Sequence, residues 1–453
     1  MKVYSNILDM VGQTPMLEVN HLDTGKCRLF LKLELMNPAG SIKDRIGVSM
    51  IEEAEKRGDL KPGDTIVEAT AGNTGLGLAL AAAQKKYPLI LVLPDKMSQE
   101  KIFNLRAMGA EVVLTRSDVA KGHPEYYQDL GESIAKEKGA YFINQFGNSD
   151  NPLAHEEGTA PEILSQMEGD LDAIVIGVGS SGTVTGVSKY LAENAPEVDI
   201  ILADPVGSIL ADYINEGELK EKNASWLVEG IGEDFLPSIS DFSRVKKAYA
   251  ISDKESFSAA RELLKNEGLL AGSSSGTLIA AALKYCKEQT KAKNVVTFAC
   301  DTGNKYLSKC FNDFWLEDQG FIEREAHGDL RDLIGRLHNE RATVVVGPND
   351  VLTTAHNRLR NAGFSQLPVI DNNKLVGILT EDTIIRFVFG NPEMMNRSVS
   401  DAMETAFIKL DKETSIDNLV ALLHVQPYAA VMDDEIFLGL ITRSDVLNYL
   451  RKK

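Results

Sequence analysis

Lys43 lies in the run NPAGSIKDR (37–45), and its placement points to chemistry. Pro38 and Gly40 predict a turn, Ser41 an N-cap, and the periodic run from Ile42 to Lys56 the helix that follows. A lysine in the first turn of a helix meets the positive end of the helix dipole, which disfavours its ammonium form. Burial would lower its pKa further from the ordinary value of about 10.4. An amine so treated is the nucleophile that a Schiff base with an aldehyde cofactor requires. Most lysines are only solvated surface charges, so position alone does not separate the two readings.

Three further runs combine glycine with hydroxyls or amides. EATAGNTGLGLALAA (68–82) reads as a strand, a Gly-rich turn and a helix beginning near Thr74. Backbone N–H groups at a helix start bind anions. Thr70, Asn73 and Thr74 add side-chain donors, so this loop suits a carboxylate; the plain alternative is a turn that needs glycine for φ > 0. In GVGSSGTVTG (177–186), Gly177, Gly179 and Gly182 satisfy GxGxxG, and Asp204 follows 22 residues after Gly182. That spacing admits a dehydrogenase. The hydroxyls of Ser180, Ser181, Thr183 and Thr185 suit a terminal phosphate monoester at least as well. LLAGSSSGTLIAA (269–281) sets Ser273, Ser274 and Ser275 before another helix, where by themselves they read as caps and turn residues.

The elements that must hold these runs alternate along the chain. LILVLP (89–94), EVVLT (111–115), AIVIG (173–177), IILAD (200–204) and VVTFA (295–299) are apolar runs bounded by turns or helices. Continuous apolar strands alternating with helices predict parallel sheets covered on both faces, here in two lobes with a cleft between them. From about 316 to 328 the sequence turns charged and loses its period, as a linker would. An internal repeat follows. SQLPVIDNNKLVGILTEDTIIRF (365–387) matches PYAAVMDDEIFLGLITRSDVLNYL (427–450), with Gly377 on Gly439, Thr380 on Thr442 and Thr383 on Asp445. Neither copy is long enough to bury a core alone, so the two are expected to pack together. The expected domains are therefore 1–315, a linker over 316–330, and a paired module over 331–453.

Composition narrows the partners. The 453 residues carry a net charge of −18, from 48 basic and 66 acidic side chains, which argues against nucleic acid or an anionic membrane as the main partner. No apolar stretch approaches the ~18 residues that cross a bilayer. The start, MKVYSNILDMVGQTP, has no targeting character. Cys27, Cys286, Cys300 and Cys310 form no CxxC pair, and the histidines show no paired-ligand spacing. No metal site is expected, the cysteines read as free thiols, and cytoplasm is the simplest location.

Taken in order, the four runs resemble the fold type II enzymes that use pyridoxal 5′-phosphate. Within these the chain is similar to the cystathionine β-synthase and cysteine synthase family. The resemblance covers roughly residues 3–315 and implies an α/β fold of two lobes, each a parallel sheet flanked by helices. It implies that Lys43 holds the cofactor as an imine and moves the α-proton, and that Asn73 bonds the cofactor's 3′ oxygen. Gly179, Ser180, Ser181, Gly182 and Thr183 would cradle its phosphate, and Ser274 would face its pyridine nitrogen. A hydroxyl there does not keep that nitrogen protonated, which favours prompt β-elimination over racemisation or transamination. Thr70, Ala71, Thr74 and Gln145 would grip the substrate carboxylate.

The segments ADPVGSIL (203–210) and VEGIGEDFLPS (228–238) resemble cystathionine synthases more than plain cysteine synthases. Gly230 and Glu233 would then lie on the path of the incoming thiol. Glu233, where animal and yeast enzymes usually carry an aromatic residue, would bind an amino group such as that of homocysteine; the plain alternative is a solvated loop carboxylate. Three departures are GSSGT for the usual GTGGT, Ala71 for a common serine and Phe146 for a common tyrosine. The implied reaction joins L-serine and L-homocysteine into cystathionine and water. The alternative is a cysteine synthase using O-acetylserine and sulfide, or hydrogen sulfide release from cysteine and a thiol. Only 42 residues precede Lys43, so no haem is expected. The repeat resembles a pair of CBS motifs, which implies binding of an adenosine compound such as S-adenosylmethionine, AMP or ATP; the alternative is a purely structural module. Thr442 and Asp445 match its T-x-x-D pattern, whereas Thr383 takes the Asp position in the first copy. A homodimer or higher homo-oligomer is also implied.

Overall fold

The computed structural model describes residues 3–70, 72–95, 97, 99–119, 122–219, 225–338 and 343–452. The chain divides into two compact units, Met1–Asn312 and Asp313–Lys453. Ten strands build the first: β1 (Met16–Glu18), β2 (Arg28–Lys32), β3 (Ile66–Ala69), β4 (Leu89–Pro94), β5 (Glu111–Thr115), β6 (Tyr141–Phe142), β7 (Ala173–Gly177), β8 (Asp199–Pro205), β9 (Val245–Ile251) and β10 (Asn294–Phe298). One sheet runs β5-β4-β3-β6 and is all parallel. The other runs β1-β2-β10-β7-β8-β9 and is parallel except for its edge strand β1. Every residue of β3 and β4 is buried, as expected of strands with helices on both faces. Two lobes of this kind were read from the apolar runs.

In the larger sheet β10 sits between β2 and β7, so the strand order reverses there. Loops leaving the C-terminal ends of strands at such a point open a crevice for ligands. Helices α1 (Lys43–Arg57) and α2 (Asn73–Lys85) carry two of the candidate runs at their N-termini. They cross where Gly47 meets Gly77. A Cβ on Gly77 would lie 2.5 Å from the Lys43 carbonyl oxygen, so only glycine permits the approach that sets the two helix starts side by side. Below the crossing, Ile46, Met50, Ile51, Leu78, Leu91 and Leu93 form a fully buried core, each contributing about 1.5–3 kcal/mol by leaving water.

In the second unit each repeat forms an antiparallel hairpin followed by a helix. The strands are Gln366–Asp371 with Lys374–Thr380, and Tyr428–Asp433 with Ile436–Thr442. The helices are Glu381–Val388 and Arg443–Lys452. Leu375 and Ile378 of the first copy share one buried cluster with Tyr428, Ala430, Met432 and Phe437 of the second. The copies thus bury each other's apolar faces, as their length requires. The unit starts upstream of the repeat: helix Asp313–Asp318 belongs to it, and Leu330 and Leu333 enter its core. The charged stretch read as a linker over 316–330 is thereby partly structured.

Candidate active site

The turn before Lys43 is set by Gly40 at φ +77° and by two bonds to the chain leaving β10. Thr302 N–H donates to the Gly40 carbonyl at 3.1 Å and Ile42 N–H donates to the Cys300 carbonyl at 2.9 Å. With Ile42 tied outside the helix, α1 starts at Lys43, one residue later than the sequence suggests. Ser41 is not the N-cap. Its Oγ accepts the Lys43 N–H at 3.2 Å and donates to Asp44 Oδ1 at 3.3 Å. Lys43 is half-buried. Desolvation pushes its pKa down, opposed by the nearby groups Cys300, Asp301 and Glu233.

Asn73 opens α2 with its amide held at both ends. Nδ2 donates to Asp301 Oδ2 at 2.8 Å, and Oδ1 accepts from Lys305 Nζ at 2.9 Å. Asp301 is fully buried and takes the Tyr306 hydroxyl at 2.6 Å on the same oxygen. Among the described residues its Oδ1 has no partner. Asp301, Lys305 and Tyr306 belong to CDTGNKY (300–306), a run the sequence reading passed over. Its signal was present: charged residues in a glycine turn at the C-terminal end of a parallel strand.

The polar side chains of the adjoining loop are largely committed internally. Thr70 is buried and its Oγ1 accepts the Gly72 N–H at 3.2 Å. Thr74 Oγ1 donates to Gln145 Oε1 at 2.7 Å, and Gln145 Nε2 donates to Glu68 Oε1 at 3.0 Å. Gln145 therefore orients Thr74, with Glu68 behind it. Burial pushes the Glu68 pKa up to about 8. Ala71 lies outside the described residues.

The hydroxyl-rich loop follows β7 and opens α3 (Gly182–Asn194), which has no side-chain cap. Ser181 takes φ +70°, a conformation costly for a residue with a side chain, and its buried Oγ has no partner among the described residues. Ser180 Oγ accepts from Asn151 Nδ2 at 2.9 Å, and Thr183 Oγ1 meets His155 Nε2 at 3.3 Å. A Cβ on Gly182 would overlap Asn151 Oδ1, and one on Gly179 would come 2.7 Å from the Gly230 carbonyl. His155, which no sequence signal marked, is fully buried; burial and the neighbouring Lys43 keep it neutral. Asp204, the carboxylate a dinucleotide ribose would need, is buried and accepts the Ala211 N–H at 2.8 Å.

Ser273, Ser274 and Ser275 do not precede the last helix of the site. They are the first turn of α4 (Ser273–Glu288), with Gly272 in the extended N-cap position. Ser273 Oγ accepts the Glu229 N–H at 3.2 Å, Ser275 Oγ accepts the Cys300 N–H at 2.9 Å, and Ser274 lies near the Cys300 thiol. Burial raises that thiol to about 12, so it stays neutral. Gly230 and Glu233 lie on the facing loop, where Ser208 Oγ bonds the Glu233 backbone at 3.1 Å. Burial and Asp234 push the Glu233 carboxyl well above the ordinary range, and Lys43 pulls it back. Its charge also reaches Tyr126 and Tyr127.

In the second unit Thr442 and Asp445 begin helix Arg443–Lys452. Asp445 Oδ2 accepts the Thr442 hydroxyl at 2.6 Å and its N–H at 2.7 Å. Both line a cavity of about 800 Å³, together with Phe314, Arg336, Phe364 and Ser444. In the first copy Thr380 and Thr383 cap each other's helix turn instead.

Two largely parallel sheets, a half-buried amine at one helix start and a hydroxyl unpartnered among the described residues at another make up the site. The model of the pyridoxal-phosphate dependent enzyme family matches residues 7–301, and that of the CBS domain matches 334–390 and 399–452. The chain is 36% identical over 465 residues to cystathionine beta-synthase of Dictyostelium discoideum, covering 99% of this chain and 93% of the relative. It belongs to the cystathionine beta-synthase family of pyridoxal-phosphate dependent enzymes. Among solved structures, a hydrogen sulfide-producing enzyme from Fusobacterium nucleatum matches with TM-score 0.63 and 36% identity, over 67% of this chain and 100% of its own. An O-acetylserine dependent cystathionine beta-synthase from Helicobacter pylori matches with TM-score 0.62 and 36% identity, over 68% of this chain and 99% of its own.

The cofactor of this family is pyridoxal 5′-phosphate, and the residues present fit it. The orphaned Ser181 hydroxyl and the uncapped N–H groups of α3 suit its phosphate, and Lys43 supplies an amine with a lowered pKa. Among the described residues no group of three or more His, Cys, Asp or Glu side chains is arranged to hold a metal ion, and no helix is long and apolar enough to cross a membrane.

Proposed function

We propose that the protein joins L-serine and L-homocysteine into cystathionine and water by β-replacement. When bound, the cofactor supplies an aldehyde that takes an amino group and a ring that draws electrons from the substrate's α-carbon. Lys43 would hold it and, once the substrate amine has displaced Nζ, accept the α-proton and return it to the leaving hydroxyl. The placement of Lys43, half-buried in the first turn of α1 beside the start of α2, is the observation that carries this reading; burial there lowers its pKa, and a fully protonated amine neither attacks an aldehyde nor takes a proton. Asn73 would bond the 3′ oxygen. The loop from Gly179 to Thr183 would take the phosphate, and Ser274 would face the ring nitrogen. Thr70 and Thr74, the latter oriented by Gln145, would hold the substrate carboxylate, with Ala71 in the same loop. Glu233 beside Gly230 would receive the acceptor's ammonium group.

Lys43→Ala should abolish the visible absorbance of the bound cofactor; a retained visible band would refute the assignment. A panel of serine, O-acetylserine and cysteine against homocysteine and sulfide tests the reaction. Cystathionine from serine and homocysteine is the expected product. The reaction is overturned if homocysteine is never an acceptor. O-Acetylserine is the rival donor, supported by the name of the Helicobacter pylori neighbour. In the second unit the cavity at Thr442 and Asp445 is the proposed site for an adenosine compound, S-adenosylmethionine, AMP or ATP, whose ribose the carboxylate would bind. The four cysteines are free thiols, which supports a reducing, cytoplasmic setting.

A further inference from the structure

We infer that Lys305 is a positioning residue of the active site, clamping the turn before Lys43 to the side chain of Asn73 and fixing which way that amide faces. The inference rests on the proposed cofactor contact of Asn73. Lys305 Nζ donates to the Ala39 carbonyl at 3.2 Å, the Gly40 carbonyl at 3.3 Å and Asn73 Oδ1 at 2.9 Å. An ammonium group has three protons and no acceptor. All three are committed inside the protein, so Lys305 serves the site's own loops, although it also lines a cavity of about 340 Å³ beside Lys101 and Asn104.

The consequence follows from donor and acceptor chemistry. An asparagine amide can flip, exchanging its oxygen for its nitrogen. Here an ammonium, which only donates, meets one end, and the Asp301 carboxylate, which accepts, meets the other. The flipped rotamer would set N–H against N–H and oxygen against oxygen. Nδ2 is thereby held toward Asp301 and keeps one proton for an oxygen acceptor, which is the proton a cofactor 3′ oxygen needs. A cation on Oδ1 also polarises the amide and strengthens that donor. Through Ala39 and Gly40 the same ammonium fixes the turn from which Lys43 projects. One side chain thus sets the relative position of the imine-forming amine and the group that bonds beside it.

Lys305→Met removes the donors, Lys305→Gln retains a neutral one, and Lys305→Arg keeps charge and donors. The expected result for Lys305→Met is a cofactor spectrum with intensity moved from the visible band to the near-ultraviolet band. kcat should fall by about tenfold to a hundredfold, with little change in the serine KM. Lys305→Arg should restore much of both. If Lys305→Met does not fold, Lys305→Gln against Lys305→Arg carries the same comparison. Wild-type spectra and kcat in Lys305→Met and Lys305→Gln would overturn the inference, as would equal spectra for the Arg and Gln variants. A wild-type protein without any visible band would instead sink the proposed function itself.

Discussion

At the scale of single residues, one buried and one half-buried carboxyl behave differently from surface acids. Glu68 sits fully buried behind the asparagine loop, with Gln145 on one oxygen and no partner among the described residues on the other. Its pKa of about 8 means that the folded protein holds a proton there which the unfolded chain releases in the ordinary carboxylate range. The stability this contributes is fully present at low pH and is lost as pH rises through about 8. Glu68→Gln keeps the bond to Gln145 and removes the titration. It should nearly match the parent near about pH 5 and exceed it by on the order of 4 kcal/mol near about pH 9. Urea unfolding at the two pH values checks this, and parallel pH profiles would contradict it. Glu233 is half-buried with its pKa pushed up, so a cation beside it is what restores its charge. Glu233→Ala should raise the KM for homocysteine about tenfold, the size of one lost charged hydrogen bond, and leave that for serine nearly unchanged. Steady-state kinetics with each substrate varied in turn decide it, and the reverse pattern removes Glu233 from the acceptor site.

At the scale of elements, glycine contacts bring the chemistry together. Lys43 and Asn73 lie 30 residues apart in sequence and meet because α1 and α2 approach backbone to backbone at Gly47 and Gly77. A methyl group on Gly77 meets the Lys43 carbonyl, which cannot swing aside as a flexible side chain would. Gly77→Ala should therefore cost at least the upper part of the about 1–3 kcal/mol typical of overpacking. It should also displace Lys43. Thermal unfolding and the visible cofactor absorbance read the two effects separately; an unchanged spectrum in a folded variant would show that the crossing does not set the amine. The three candidate loops of the larger sheet share one logic. They leave β2, β7 and β10 where the strand order reverses, so their side chains converge although the strands are distant in sequence.

At the scale of the whole molecule, the chain is two compact units joined in sequence at Asn312 and Asp313. The Fusobacterium nucleatum enzyme aligns over all of its own length with 67% of this chain. A fragment ending at Asn312 should fold and bind pyridoxal 5′-phosphate, with one calorimetric transition where the full chain has two. An aggregated fragment without cofactor would contradict this. An adenosine compound held at Thr442 and Asp445 should raise only the second unit's transition, by about 2.7 kcal/mol of stabilisation at a hundredfold excess over its Kd.

The sequence by itself determined the four chemical runs, the alternation of strands and helices and the repeat. Each is a local signal: a glycine turn between an apolar run and a helix, or one segment resembling another. Lys43, Asn73, Ser181 and Ser274 could be singled out as candidates for that reason. The helix starts at Lys43 and Ser273 were misplaced by a residue or more, because long-range bonds to the 300–302 segment and the extended Gly272 decide them. Only the tertiary structure decided that CDTGNKY faces the Lys43 turn, that Lys305 and Asp301 hold the Asn73 amide, and that His155 lies buried against Thr183. Those facts depend on β10 lying between β2 and β7. Strand neighbours are chosen by burial and hydrogen bonding across the whole sheet, and no local pattern of residues encodes that choice.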